Sequence, residues 1–177
     1  AAAVSASAWK TSVISLPDTI SDGLIDDLDG DGRKDLLLIS GNFIHIFYRT
    51  TAGYPATPAE RFFYRLLGEH IDTGEIDSTS PGLELLGLSE EGVKILSRIG
   101  SRYAGTPSPL ISGPVDMPRT RLGPLVSEFA FDINADGRDE ILVLRDSKAL
   151  IYHARPDGRW TPIPVESPSH RTSIRFG

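Results

Sequence analysis

Three times along the chain a continuous apolar run is followed, after a short polar break, by a second run of strand-like character. Residues 36–39 (Leu-Leu-Leu-Ile) precede 43–48, where Ile44, Ile46 and Tyr48 alternate with Phe43, His45 and Phe47. Residues 85–88 precede 93–97, and residues 141–144 precede 149–153. Continuous runs this short predict strands buried on both faces, and the alternating ones predict half-buried strands further out. Asn42, Glu90-Glu91-Gly92 and Asp146-Ser147-Lys148 supply turn residues for the hairpins between them. A strand enters each unit at 23–26, 71–76 and 128–131, and a fourth leaves it at 61–67, 109–112 and 159–163.

Local rules conflict within the first of these outgoing strands. Thr57-Pro58-Ala59-Glu60 reads as a helix N-cap, a proline at the first helical position and a capping-box glutamate, with Phe62, Phe63, Leu66 and Leu67 on one helical face and Gly68 to end it. The parallel with the other two units predicts strand instead, and strand is the expectation taken here.

Four short antiparallel strands per unit of roughly 50 residues predict an all-β chain built as the blades of a β-propeller. The expected blades span about 23–67, 70–113 and 126–165, within one repeat domain covering 1–177. Residues 1–8 are expected to form a flexible N-terminal segment, and residues 9–16 a stray strand. Closed propellers have about four to eight blades, so three units predict further blades, self-assembly with another chain, or an open packing. Open inner edges invite unwanted strand pairing, which favours a partner or further blades.

The polar residues just before the apolar runs carry the candidate chemistry. Asp27-Leu28-Asp29-Gly30-Asp31-Gly32-Arg33-Lys34-Asp35 places carboxylates at positions 1, 3, 5 and 9 and a glycine at 6. That spacing surrounds one hard cation with oxygen: Asp27, Asp29, Asp31 and Asp35 through their side chains and Arg33 through its carbonyl. An EF-hand loop needs an acid at position 12, which is Leu38 here. The bland alternative is an Asp-Gly turn, but four unneutralised carboxylates within nine residues repel one another. Asp132-Ile133-Asn134-Ala135-Asp136-Gly137-Arg138-Asp139-Glu140 repeats the pattern, with Asp132, Asn134, Asp136 and Glu140 as side-chain ligands and the Arg138 carbonyl between the last two. Two Ca2+ sites are therefore expected, the second weaker because it has fewer charges. Between them, Asp77-Ser78-Thr79-Ser80-Pro81-Gly82-Leu83-Glu84 keeps the opening acid, the glycine and the closing acid, but not the acids between. It predicts a degenerate copy without metal.

Composition narrows the partners. A net charge of −6, without a basic stripe, argues against nucleic acid, and no run is long enough to span a membrane. The absence of cysteine excludes disulfides and thiolate metal sites. Loops with affinities of extracellular modules, on the order of 10^-4 to 10^-3 M, would stay largely empty in the cytosol. The expected location is extracellular, at the cell surface or in the periplasm.

The two loops, each closed by an apolar run, resemble the calcium loop of FG-GAP and VCBS-type repeats, found in integrin alpha chains and in many secreted bacterial proteins. The resemblance extends from about residue 23 to 165. It implies a β-propeller in extracellular or surface proteins, with calcium held between the first two strands of a blade by the residues already named. The Phe-Gly and Gly-Ala-Pro landmarks of the integrin form are missing, so the chain is more similar to the bacterial VCBS type.

Catalytic candidates are weak. His45, His70, His153 and His170 lie far apart, and none has a partner at metal-ligand spacing; His45 and His153 fall at similar places in corresponding strands and read as a shared packing position. Gly87-Leu88-Ser89-Glu90-Glu91-Gly92 misses the nucleophile-elbow spacing. The function expected is a calcium-stabilised binding or scaffold module that presents a propeller surface to a protein or glycan, without catalysis. The alternatives are a propeller lectin, with Tyr54, Tyr103 or Trp160 stacking on sugar, and a secreted polysaccharide lyase or hydrolase.

Overall fold

The computed structural model describes residues 13–117, 125–155 and 158–165. The described chain is all-β apart from one turn of 3-10 helix, and its strands form three antiparallel meanders. The first sheet is β1 (Ile20–Asp26), β2 (Asp35–Ser40), β3 (Phe43–Phe47) and β4 (Glu60–Phe63), in that order. In the second, β5 (His70–Gly74), β6 (Glu84–Ser89) and β7 (Gly92–Leu96) are followed, after a two-stranded hairpin of β8 (Arg98–Ile99) and β9 (Arg102–Tyr103), by β10 (Ser108–Ser112). β11 (Leu125–Val126) adds to the free edge of β5 in parallel. The third sheet is β12 (Ala130–Phe131), β13 (Glu140–Arg145), β14 (Lys148–Ala154) and β15 (Trp160–Pro164).

The apolar runs become the second strand of each sheet, and the tight turns after them have the chemistry they need. Asp146 and Ser147 both adopt positive φ, the conformation of a two-residue hairpin turn whose twist matches its strands. The conflict at residues 57–67 resolves as strand for Glu60–Phe63, which pairs with β3, and then a single 3-10 turn over Tyr64–Leu66. The helical pattern thus survives only after Phe63, because the edge of β3 offers residues 60–63 a ladder that an isolated short helix lacks.

Four differences from expectation stand out. β11 belongs to the second sheet, although residue 126 was assigned to the third unit; the Leu125 and Ser127 amides donate to the carbonyls of Glu69 and Ile71. That edge of β5 is therefore covered by the chain itself. The incoming strand of the third sheet shrinks to Ala130–Phe131 because Asp72 Oδ2 takes the Phe129 and Ala130 amides, at 2.7 and 2.9 Å. Residues 13–16 form no strand, and the rest of the proposed stray strand, like residues 1–8, lies outside the described residues. The histidines are not equivalent: His45 faces Leu38 across the ladder, where the third sheet pairs Leu150 with Val143, and His153 lies further along its strand.

Two cores hold the sheets together. Leu37, Ile39, Ile44 and Ile46 of the first sheet pack with Ile71, Leu85 and Leu96 of the second. Leu86, Leu88, Val93 and Ile95, on the opposite face of the second sheet, pack with Ile141, Val143 and Tyr152 of the third. The second sheet is thus the filling between the other two. The β8–β9 hairpin bridges to the first sheet: the Tyr103 amide donates to Glu60 Oε2 at 3.1 Å, and Arg98 lies over the rings of Tyr48 and Tyr103. Tyr103 is therefore core, only 6% exposed, and not a surface platform for sugar. Trp160 packs at the edge of the second core, and Tyr54 is half-buried with its hydroxyl on the Lys34 carbonyl.

Candidate metal centre

The first acidic loop joins β1 to β2. Gly30 and Gly32 take positive φ, 75° and 84°, which bends the loop back over its own start. Asp27 is the hub: Oδ1 accepts the amides of Gly30 and Asp31 at 2.9 and 3.1 Å, and Oδ2 accepts Gly32 at 2.8 Å. Asp29 Oδ1 accepts the Asp31 amide, and Asp31 Oδ1 that of Arg33. Asp35, fully buried at the start of β2, accepts the Leu28 and Asp29 amides on Oδ2 and the Arg49 amide on Oδ1. One oxygen each from Asp27, Asp29 and Asp35 lies within 4.8 Å of the others.

That convergence fits a calcium ion. Oxygens on opposite sides of Ca2+ at 2.3–2.6 Å stand about 4.6–5.2 Å apart, so three carboxylates of this spacing can share one ion. Burial raises the affinity of Asp29 and Asp35 for a proton; Asp31 adds to this at Asp29, and Asp29 adds to it at Asp35. Asp31 itself stands apart from the three, its Oδ2 ion-paired with the Arg33 guanidinium. Among the described residues, no hydrogen bond to the Arg33 carbonyl is seen.

The loop between β12 and β13 has the same frame. Asp132 accepts the amides of Asp136 and Gly137, Asn134 Oδ1 accepts that of Asp136, Asp136 Oδ1 that of Arg138, and Glu140 Oε2 that of Ile133. Each bond has its counterpart at the same position of the first loop. Ala135 occupies the place of Gly30 with φ 60°, and Gly137 that of Gly32 with φ 85°. The side chains converge less. Asn134 Nδ2 donates to Glu140 Oε1 at 2.7 Å, and the Arg138 guanidinium donates to Ser78 Oγ of the middle loop. Among the described residues, Asp27, Asp29 and Asp35 are the one His, Cys, Asp or Glu group close enough to share an ion.

The middle loop shares the backbone turn but lacks the intervening acids. Gly82 has φ 84°, as Gly32 does, and buried Glu84 accepts the Ile76 and Asp77 amides as Asp35 accepts those of its own loop. The Asp77 carboxylate is occupied by the Thr79 amide and hydroxyl, which lower its affinity for a proton. This loop has a second role as a buttress. A Cβ on Gly82 would stand 2.4 Å from the Leu28 carbonyl, and one on Gly30 would stand 2.5 Å from the Gly82 nitrogen.

A cleft of about 420 Å³ is lined by residues of β1, β5 and β12 and of the segments beside them, among them Asp26, Asp72, Glu128 and Asp139. Burial pushes Asp72 up to about 6. The Asp139 carboxylate accepts the Glu75 amide at 2.8 Å, and burial raises its affinity for a proton as well. The sequence pattern points to neither residue. Asp72 had one signal, a charge flanked by Ile71 and Thr73 inside a strand; Asp139 was overshadowed by its neighbour Glu140.

The histidines remain apart. His45 and His70 are buried, with His70 Nδ1 hydrogen-bonded to Ser127 Oγ at 2.8 Å; burial lowers the affinity of both for a proton. His153 is half-buried, and His170 lies outside the described residues. No helix among the described residues is long and apolar enough to cross a membrane. Compared with protein families, the chain matches no family model, and a search of curated proteins returns no match.

Proposed function

We propose that this chain is a calcium-stabilised, extracellular binding or scaffold module of β-propeller type that presents its surface to a protein or glycan. The observation that carries the reading is the convergence of Asp27, Asp29 and Asp35 within 4.8 Å on a loop of fixed shape. Bound calcium supplies charge neutralisation and nothing redox or acid-base. The chain's own residues do the rest: Asp27 and Asp35 pin the loop through backbone amides, and Gly82 of the next sheet backs it. A metal that binds only the folded loop raises stability by mass action, by about 2.7 kcal/mol per site at a hundredfold excess over Kd. In the second loop, Asp132, Asn134, Asp136 and Glu140 with the Arg138 carbonyl would hold the weaker ion, on the strength of the shared hydrogen-bond frame.

A binding role rather than a catalytic one is supported by how the central carboxylates are used. Asp72 accepts three amides and Asp139 ties the third sheet to the second, so both are joints. The test is a panel of anionic and neutral polysaccharides offered with saturating calcium. Binding without change in chain length supports the module. Turnover that disappears in Asp72→Asn would overturn it in favour of an enzyme.

A further inference from the structure

The burial of the second strands shows a directional stacking rule. Counting from the acid that opens each strand, residues two and four places on form one face, and residues one and three places on form the other. Leu37 and Ile39 of the first sheet meet Leu85 and, through Leu67, Gly87 of the second. Leu86 and Leu88 of the second meet Ile141 and Val143 of the third. Every contact therefore joins a leading face to the trailing face of the next sheet, and all eight of these positions are buried.

Two faces are left over, and they are the complementary pair. Leu142 and Leu144, the leading face of the third sheet, are only half-buried, as is Ile151 beside them, and Ile163 is 52% exposed. Leu36 and Leu38, the trailing face of the first sheet, are half-buried as well, as is Phe43, and Phe63 is 38% exposed. His45 and Phe47 on that face are already buried.

We infer that the occupant of both faces is a second copy of this chain: the leading face of each copy packs on the trailing face of the other and closes a six-bladed ring. One chain carries both halves of the contact, and the contact continues the packing already used twice within it. A leading-to-trailing interface is heterologous, so it closes only if the rotation per sheet is right; six sheets fall inside the range of about four to eight found in closed propellers. The acidic clefts of the two copies then face one another across the ring axis. The inference rests on the propeller part of the reading above and not on its metal.

The experiment is light scattering or sedimentation equilibrium on the full chain over a range of concentrations, in calcium and in chelator. The expected species has about 38 kDa, twice the 19.2 kDa of one chain. Phe63→Arg and Ile163→Arg, each on an exposed position of a different face, are each expected to give a folded monomer. Ile99→Arg, at an apolar position 71% exposed on the β8–β9 hairpin, is expected to remain dimeric. A dimer in either buffer supports the ring, so a failure of the metal reading cannot be mistaken for a failure of this one. A monomer in both buffers, a mass that grows without limit, or a dimer insensitive to either face variant would overturn the proposal. Sensitivity to one of the two alone would mean a self-complementary contact, and would overturn it as well.

Discussion

Asp72 is where a single side chain decides most. It is 6% exposed, its carboxylate accepts the amides of Thr73, Phe129 and Ala130, and burial pushes it up to about 6 from an ordinary 3.8. A carboxyl whose folded value lies above its unfolded one is held preferentially as the acid. Its contribution is therefore most favourable at low pH and is lost as pH rises from about 4 to about 6, by roughly 3 kcal/mol across that window. Chemical denaturation of the wild type and of Asp72→Asn at fixed calcium should show it. The wild type loses stability relative to the variant over that window, and parallel profiles would contradict the assignment. Asp35 is the second such residue. Because its carboxylate holds three amides in a buried place, Asp35→Ala should cost about 2–4 kcal/mol even in chelator, read from the shift in denaturation midpoint.

Among the elements, the middle loop supports the first acidic loop. Gly82 carries no side chain, yet its backbone lies against Leu28 and Asp29 of the first acidic loop, at a φ that L side chains rarely adopt. Gly82→Ala is expected to destabilise the fold by about 2 kcal/mol or more and to weaken the tighter calcium site several-fold. A calcium affinity unchanged in the variant would contradict the buttress role.

Strand positions were legible in the sequence because burial on both faces forces continuous apolar runs, and the paired loops because nine residues carry both ligands and turn. Gly32 and Gly82 share the same φ, so a glycine at this place serves the turn whether or not acids precede it. β11 and the β8–β9 hairpin were not legible: two-residue strands have no periodicity, and what fixes them is an edge elsewhere in the fold. Arg98 was hidden for a related reason. A buried guanidinium over two rings reads, in sequence, as one more exposed charge. At the site, the spacing pointed to Asp27, Asp29 and Asp35, which the fold brings together; it could not reveal that Arg33 draws Asp31 into an ion pair.

For the whole molecule, three sheets stacked face on face share two cores, and no cysteine staples them. Calcium bound in the first loop would bear on both the first and second sheets, since the loop rests on Gly82. Its removal should therefore lower the melting temperature of the whole unit in one transition and not melt the first sheet alone. Separate transitions by calorimetry would contradict that coupling.

The most direct test is calorimetric titration of metal-free protein with Ca2+. The expected result is two sites, the tighter lost in Asp29→Ala and the weaker in Asp136→Ala. Absence of binding at millimolar Ca2+, or binding that survives Asp29→Ala undiminished, would mean that the acidic loops are only turns.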